Sequence, residues 1–327
     1  MTRIDLLPGL TARNFVPHRL HGQDSVWPEK NCYVDIWLEL LPALGLDPLP
    51  LLAFTLAVDF EGDQWTFFKP PHNELRTLYG VDVQELTLWR PLLAHAQEHL
   101  SAGKFICCEV DAFDLPDTVG TDYRQQHSKT SILLVSLDVE ARQLGYFHNA
   151  GFFELTGEDF DHLFHLNPPP APAALPLFAE LVRVDGLLRR PPDALAGMAL
   201  NLLREHWARR PRSNPFPRFA QRLAHDLPAL QAAGLAHYHA WAFASIRQAG
   251  AAFELAGEHL RWQSGRGHPQ LLEAAECFER IAQANKSLIL KGARAVHAGR
   301  PLDAAALLAQ MGDDWARGMA VLQTVIA

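Results

Sequence analysis

Cys32, His127 and the adjacent His148 and Asn149 follow one another as thiol, imidazole and amide. A nucleophilic cysteine needs this set: a base to take its proton and a third group to orient the base. Cys32 opens the stretch "NCYVDIWLELLPALGLDP", residues 31–48. There Ile36, Leu40, Leu41 and Leu44 recur at helical spacing, Gly45 is placed as a stop and Pro48 prevents resumption. The thiol then falls in the first turn, where unpaired N–H groups and the positive dipole end favour a thiolate. The same periodicity puts Cys32 on the buried side, and cysteine is among the most buried residue types, so plain packing accounts for it too.

His127 stands just ahead of "SILLVSLDV" (131–139), and His148 and Asn149 stand at the far end of "QLGYFHN" (143–149). Both runs are rich in β-branched and aromatic residues, and the link between them has hairpin length, which predicts antiparallel strands. In such a hairpin the start of one strand lies beside the end of its partner, so His127 and Asn149 can meet at one sheet edge. The order Cys, His, Asn is that of papain-like sites. The chain holds 16 histidines, which makes a chance pairing easy, and His148 is as well placed as Asn149 to be the third member. A lone loop histidine is more often solvated than catalytic.

The elements that must position these residues divide at "LNPPPAPAALP" (166–176), where five prolines in eleven residues forbid a continuous helix or central strand. The predicted organisation is a domain over 1–166, a proline-rich linker over 167–176 and a helical domain over 177–327. Ahead of the linker, helices are expected at 31–45, 88–102 and 156–165, the last with Thr156 and Asp159 as a capping pair. Strands are expected at 104–113, 131–139 and 143–149. Beyond it, helices are expected at 176–188, 192–208, 215–233, 235–263, 270–298 and 302–325. The fold class is α+β, with an antiparallel sheet of papain-like type followed by an all-α domain.

Bulk properties exclude several functions. The formal charge of −8 leaves no basic face for nucleic acid, since Lys and Arg are scattered apart from Arg204, Arg209, Arg210 and Arg212. The most apolar stretch, 36–58, contains Glu39, Asp47 and three prolines, which argues against a membrane span. No signal-peptide pattern opens the chain, so a cytoplasmic protein is expected. The four cysteines, Cys32, Cys107, Cys108 and Cys277, form no C-x-x-C pair, and Cys107 and Cys108 read as inert strand residues. In "FDHLFH", Asp161, His162 and His165 lack the further ligands a metal would need, and no phosphate-binding glycine loop occurs, so no intrinsic cofactor is expected.

Four stretches carry a more specific likeness: "NCYVDIWLELLPALGLDP", "LLAHAQEHLSAGKFICCEVDAFDLPD", "YRQQHSKTSILLVSLDVEARQLGYFHN" and "FFELTGEDF". Together they resemble the N-terminal domain of the butirosin-biosynthesis H protein group, which has a papain-like, peptidase-C39-like fold used for acyl transfer. The resemblance aligns Cys32, the Asp111 to Pro116 strand exit, Tyr123, His127 and Asn149, where that group commonly has Asp. It implies Cys32 as nucleophile, His127 as base, Asn149 or His148 as orienter, and Tyr123 and Asp111 as substrate contacts. Gln23 or Asn31, with the Cys32 N–H, would supply the oxyanion donors. Over nearly its full length, including "NPFPRF" and "HAWAFASIRQAGAAFELAGEHLRW", the chain is also similar to a bacterial domain-of-unknown-function family. The genes of that family often sit beside amino acid:carrier protein ligases and their small carrier proteins.

These likenesses imply an acyltransferase that moves an aminoacyl or peptidyl group from the phosphopantetheine thioester of a carrier protein, through Cys32, to an amine or hydroxyl acceptor. A cysteine hydrolase and a non-catalytic carrier-protein scaffold are the competing readings. The expected partners are the carrier protein, its ligase and a small acceptor molecule. The arginine cluster is either a docking patch for an acidic carrier or a solvated helix end. In the C-terminal half, Trp241, Phe243, Phe253, Leu260 and Trp262 read as a core stripe. Trp241 and Arg247 are the residues expected at an acceptor pocket between the domains.

Overall fold

Near-continuous apolar runs in Phe105–Asp111, Lys129–Asp138 and Gln143–His148 build the centre of a seven-stranded sheet. The structure, a computed structural model, describes residues 3–166 and 178–326, so the linker expected at 167–176 lies outside the described residues. In chain order the elements begin with β1 (Ile4–Asp5), α1 (Cys32–Ala43), β2 (Phe60–Glu61), β3 (Gln64–Trp65), α2 (His72–Tyr79) and β4 (Asp82–Glu85). They continue with α3 (Leu92–Ser101), β5 (Phe105–Asp111), β6 (Lys129–Asp138), β7 (Gln143–His148), β8 (Gly151–Thr156), α4 (Glu158–Leu163) and β9 (Ala179–Arg183). The helices α5 (Pro192–Ala208), α6 (Pro215–Ala233), α7 (Leu235–Ala242), α8 (Gln248–Ser264), α9 (Leu271–Ala298) and α10 (Ala305–Ile326) complete the chain. The fold is α+β.

The chain forms two units, one of Met1–Gln23, Asn31–Asp47 and His72–Arg189, the other of Asp24–Lys30, Pro48–Pro71 and Arg190–Ala327. In the first unit the strand order is β4-β9-β5-β6-β7-β8, with β1 also on β6, and each pairing is antiparallel. Leu133 faces Phe147 and Leu134 faces Tyr146, the hairpin register that the short polar link predicts. Residues 179–183, expected as helix, are instead a strand between β4 and β5. Backbone partners on both sides outweigh the helix propensity of its Ala, Glu and Leu.

Strand alternation gives the sheet two different faces. On one, Ile106, Cys108, Val110, Ile132, Leu134 and Ala179 pack with Leu92, Ala96 and Leu100 of α3 and with Phe160 and Leu163 of α4. The other carries Cys107 and its register partner Glu180, and α1 lies against it, tied there by Tyr33. The capping pair expected at Thr156 and Asp159 does not form: Gly157 is the N-cap of α4, and Asp159 accepts from Tyr123 and Arg124 instead.

Helix α1 is buried almost throughout, including two acids, Asp35 and Glu39. Charges in such a place must be matched, and His21 does so. Its Nε2 lies 3.0 Å from Asp35 and its Nδ1 is hydrogen-bonded to Glu39, which also accepts from the His18 N–H at 2.9 Å. Burial alone would lower the imidazole pKa, but hydrogen bonds to Asp35 and Glu39 and their negative charge outweigh it and raise it to about 9.

In the second unit Phe60, Trp65, Phe216, Phe219, Phe253 and Phe278 form an aromatic core, ring centroids 5.4–6.1 Å apart. Residues 24–30 pack into this unit as a strap. The Trp27 ring rests on Gly250, where a Cβ would come within 2.6 Å of it, and Glu254 accepts from the Val26 and Trp27 N–H groups. Lys30, fully buried, donates to Glu254 at 2.8 Å. The predicted helix 235–263 is α7 and α8 joined by a π turn at Phe243–Arg247. That turn shifts the helical phase, so Phe253, Leu260 and Trp262 are buried while Phe243 is exposed. Among the described residues, no helix is long and apolar enough to cross a membrane.

Candidate active site

Asn31 makes α1 begin where it does: its extended backbone and side-chain oxygen, which accepts from the Val34 N–H at 2.9 Å, form the N-cap. Cys32 is therefore the first helical residue, a free and half-buried thiol in the first turn of α1. The side-chain oxygen of Asn31 is spent on this cap, whereas Gln23 is exposed.

The next residue ties this turn to the sheet. Tyr33 donates its hydroxyl hydrogen to Glu180 at 2.7 Å, and the His72 Nε2 lies 2.9 Å from the same hydroxyl and 3.2 Å from the other Glu180 oxygen. Glu180 is 1 % exposed and the His72 side chain 31 %. Burial chiefly, with the charges of Cys107 and Glu180, raises the Tyr33 hydroxyl far above its ordinary range. Cys107 is likewise pushed up, by complete burial first and then by Glu180, Cys108 and Cys32, which places Cys32 and Glu180 within electrostatic range of one sulfur. Burial pushes Cys108, on the opposite face, up to about 12, so both strand thiols stay protonated.

Farther along β5, about 13 Å from Cys107 at strand rise, Asp111 occupies the same face by alternation. Its Oδ2 lies 2.6 Å from His127 Nδ1, and its Oδ1 accepts from the N–H groups of Phe113 and Ser128. The imidazole stacks on Phe113 with centroids 4.4 Å apart and is 74 % exposed. Held this way, His127 donates from Nδ1 and presents Nε2 as a base. Among the described residues no hydrogen bond joins His127 to Cys32, nor to Asn149 or His148.

Those two candidates are occupied otherwise. His148 pairs with Gly151 across a two-residue hairpin whose first turn residue is Asn149, held at φ 46°, a conformation Asn tolerates. His148 is buried, with Nδ1 at 2.5 Å from Asp117 and Nε2 at 2.8 Å from Thr130. Thr130 pairs with Val110, which puts this network on the face opposite Cys107. Tyr146 also donates to Asp117. Tyr123 donates to Asp159 at 2.9 Å.

Trp241 and Arg247 belong to the second unit, where Arg247 sits over the Phe243 ring and donates to the Glu29 carbonyl at 2.9 Å. A cavity of about 630 Å³ lies between α6 and α10, lined by Phe216, Leu223 and Leu308 among others, and neither Trp241 nor Arg247 lines it. In the arginine cluster, Arg210 stacks on Trp207 at 3.7 Å.

Sequence reasoning missed His72, Tyr33 and Glu180. Tyr33 adjoins the cysteine, and an acid inside "AELVR" becomes a signal once that run is a strand. His21 was missed as well, although Asp35 and Glu39, one turn apart in an apolar helix, demand a cation.

Two family models cover most of the chain: the DUF1839 N-terminal domain matches residues 16–184 and the DUF1839 C-terminal domain matches residues 192–324. No curated protein matches it. The chain belongs to the DUF1839 family.

Proposed function

We propose that the protein is a cysteine acyltransferase. Cys32 attacks the carbonyl of a phosphopantetheine thioester on a carrier protein, the carbon–sulfur bond to pantetheine breaks, and an aminoacyl or peptidyl group is left on Cys32. An amine or hydroxyl acceptor then attacks this acyl-enzyme and frees the thiolate. The single observation that carries the reading is that Cys32 opens a capped helix on the sheet face whose strand end bears the Asp111–His127 pair. His127 is the base, Asp111 holds its tautomer, and the Cys32 N–H is an oxyanion donor. A thioester donor suits this site because exchange between thiols conserves acyl activation. The resemblance to a papain-like acyl-transfer domain, and the carrier-protein neighbourhood expected from the sequence, support the choice of donor.

The exposure of His127 favours a second reading, hydrolysis, in which water replaces the acceptor. One experiment tests both. Intact-mass spectrometry of the protein mixed with an aminoacyl-loaded carrier protein is expected to show an acyl adduct that a Cys32→Ala variant lacks. Free amino acid released without added acceptor would select the hydrolase. An absence of any adduct, with the loaded carrier unchanged, would overturn both readings.

A further inference from the structure

In two imidazole–carboxylate pairs of the first unit the carboxylate stands on a sheet strand, and the proposed reaction uses only His127 with Asp111. The other, His72 with Glu180, joins the nucleophile's helix through Tyr33, the residue that follows Cys32. Its geometry fixes the roles of its nitrogens. Nε2 lies within 3.2 Å of both the Tyr33 hydroxyl and a Glu180 oxygen, so it carries the proton it shares with them. Nδ1 is left with the lone pair, and among the described residues it has no hydrogen-bond partner. Glu180 is buried and the His72 side chain 31 % exposed, so the imidazole is the edge at which this group meets solvent or a bound molecule.

A base tied to the nucleophile's helix through Tyr33, with one nitrogen held by Tyr33 and Glu180 and the other left open, fits a proton that comes from the acceptor rather than from the thiol. We propose that His72 is a second catalytic base, serving the amine or hydroxyl acceptor, with Glu180 and Tyr33 as its positioning residues. The inference rests on the acyl-transfer reading. As the acceptor nitrogen or oxygen bonds to the carbonyl carbon of the Cys32 acyl-enzyme, its proton passes to His72 Nδ1. The carbon–sulfur bond then breaks with its electron pair on Cys32, and the imidazolium returns the proton to solvent. His127 acts in the first half and His72 in the second.

The test separates the halves. The protein is acylated on Cys32 with an aminoacyl-loaded carrier protein, the excess donor is removed, and hydroxylamine or a simple primary amine is added while intact mass follows the adduct. His72→Gln is expected to acylate at the wild-type rate but to pass the acyl group on about 10²-fold or more slowly, within the range for a lost general base. Its transfer rate should lose the rise with pH that the wild type shows through the imidazole range, and added imidazole should restore part of it. Tyr33→Phe, which removes one of the two groups holding Nε2, should move the midpoint of that pH profile, a change that a merely structural role would not produce. Loss of acylation and transfer alike in His72→Gln would overturn the inference, as would a transfer rate and pH profile equal to wild type; both leave the acyltransferase reading standing. A wild-type protein that never forms the Cys32 adduct would overturn that reading, and the inference with it.

Discussion

Asp111 Oδ2 and His127 Nδ1 stand 2.6 Å apart, and the other Asp111 oxygen is held by the N–H groups of Phe113 and Ser128. A carboxylate fixed by two backbone donors cannot follow the imidazole, so the imidazole is oriented to it. Asp111→Asn keeps an acceptor for the backbone but removes the charge that stabilises the imidazolium. Acylation of Cys32 by a thioester is expected to fall by about 10²–10⁴-fold, as for a triad acid, while the melting temperature stays close to wild type. Rates within about threefold of wild type would reduce the pair to an exposed ion pair of little consequence.

Asn149 should behave as a turn residue. Its φ of 46° suits Asn or Gly and penalises a residue with a plain Cβ. Asn149→Gly is expected to leave stability within about 0.5 kcal/mol of wild type, and Asn149→Ala to cost about 1 kcal/mol in urea unfolding. Neither should slow acylation. A strong loss of acylation in Asn149→Gly with stability intact would return Asn149 to the role of orienter.

Much of this was legible in the sequence because the signals were local. The helix period behind Cys32, the β-branched and aromatic runs joined by a short link in 131–149 and the long C-terminal helices are all local signals, and strands and helices appear there. What failed needed information from elsewhere in the chain. The strand at Ala179–Arg183 exists because β4 and β5 offer it partners, and its sequence alone reads as helix. With that strand unseen, Glu180 had no location and the Tyr33–His72 group could not be assembled. Asn149 and His148, the orienters expected from the sequence, stand at the end of the β6–β7 hairpin. The carboxylate that meets His127 sits on the other neighbour of β6, across from Lys129. The phase shift at the π turn, which removes Phe243 from the core stripe, has no sequence mark.

Thiol chemistry should single out Cys32. It is half-buried at a helix start, while Cys107, Cys108 and Cys277 are at most 2 % exposed. Iodoacetamide on the native protein is expected to give a single carbamidomethyl group, mapped by peptide mass to Cys32, and four after unfolding in urea. Labelling of Cys107 in the native state ahead of Cys32 would mean that α1 leaves the sheet readily, contrary to the tie made by Tyr33 and Glu180.

The buried His21 should make stability depend on pH in a specific window. Its folded pKa is about 9, against an ordinary value of 6.5. Below pH 6.5 the imidazole is protonated in both folded and unfolded chains, and the full stabilisation from Asp35 and Glu39 is present. As pH rises past 6.5 the unfolded chain loses this proton first, so folding must take one up, and the stabilisation drains away until the folded imidazole titrates near 9. A shift of that size corresponds to about 3 kcal/mol. Glu39 works in the same direction at lower pH: burial lifts its carboxyl above the ordinary range despite the hydrogen bonds to His21 and His18, so ionising it also costs stability. Urea unfolding of the wild type and of His21→Gln at pH 6 and at pH 9.5 isolates the histidine. The variant should be the less stable at pH 6, and the gap should shrink by about 3 kcal/mol at pH 9.5. A gap that stays constant would mean that His21 is held neutral, with a carboxyl proton shared in its place, and the charge on α1 would then have to be matched by another group.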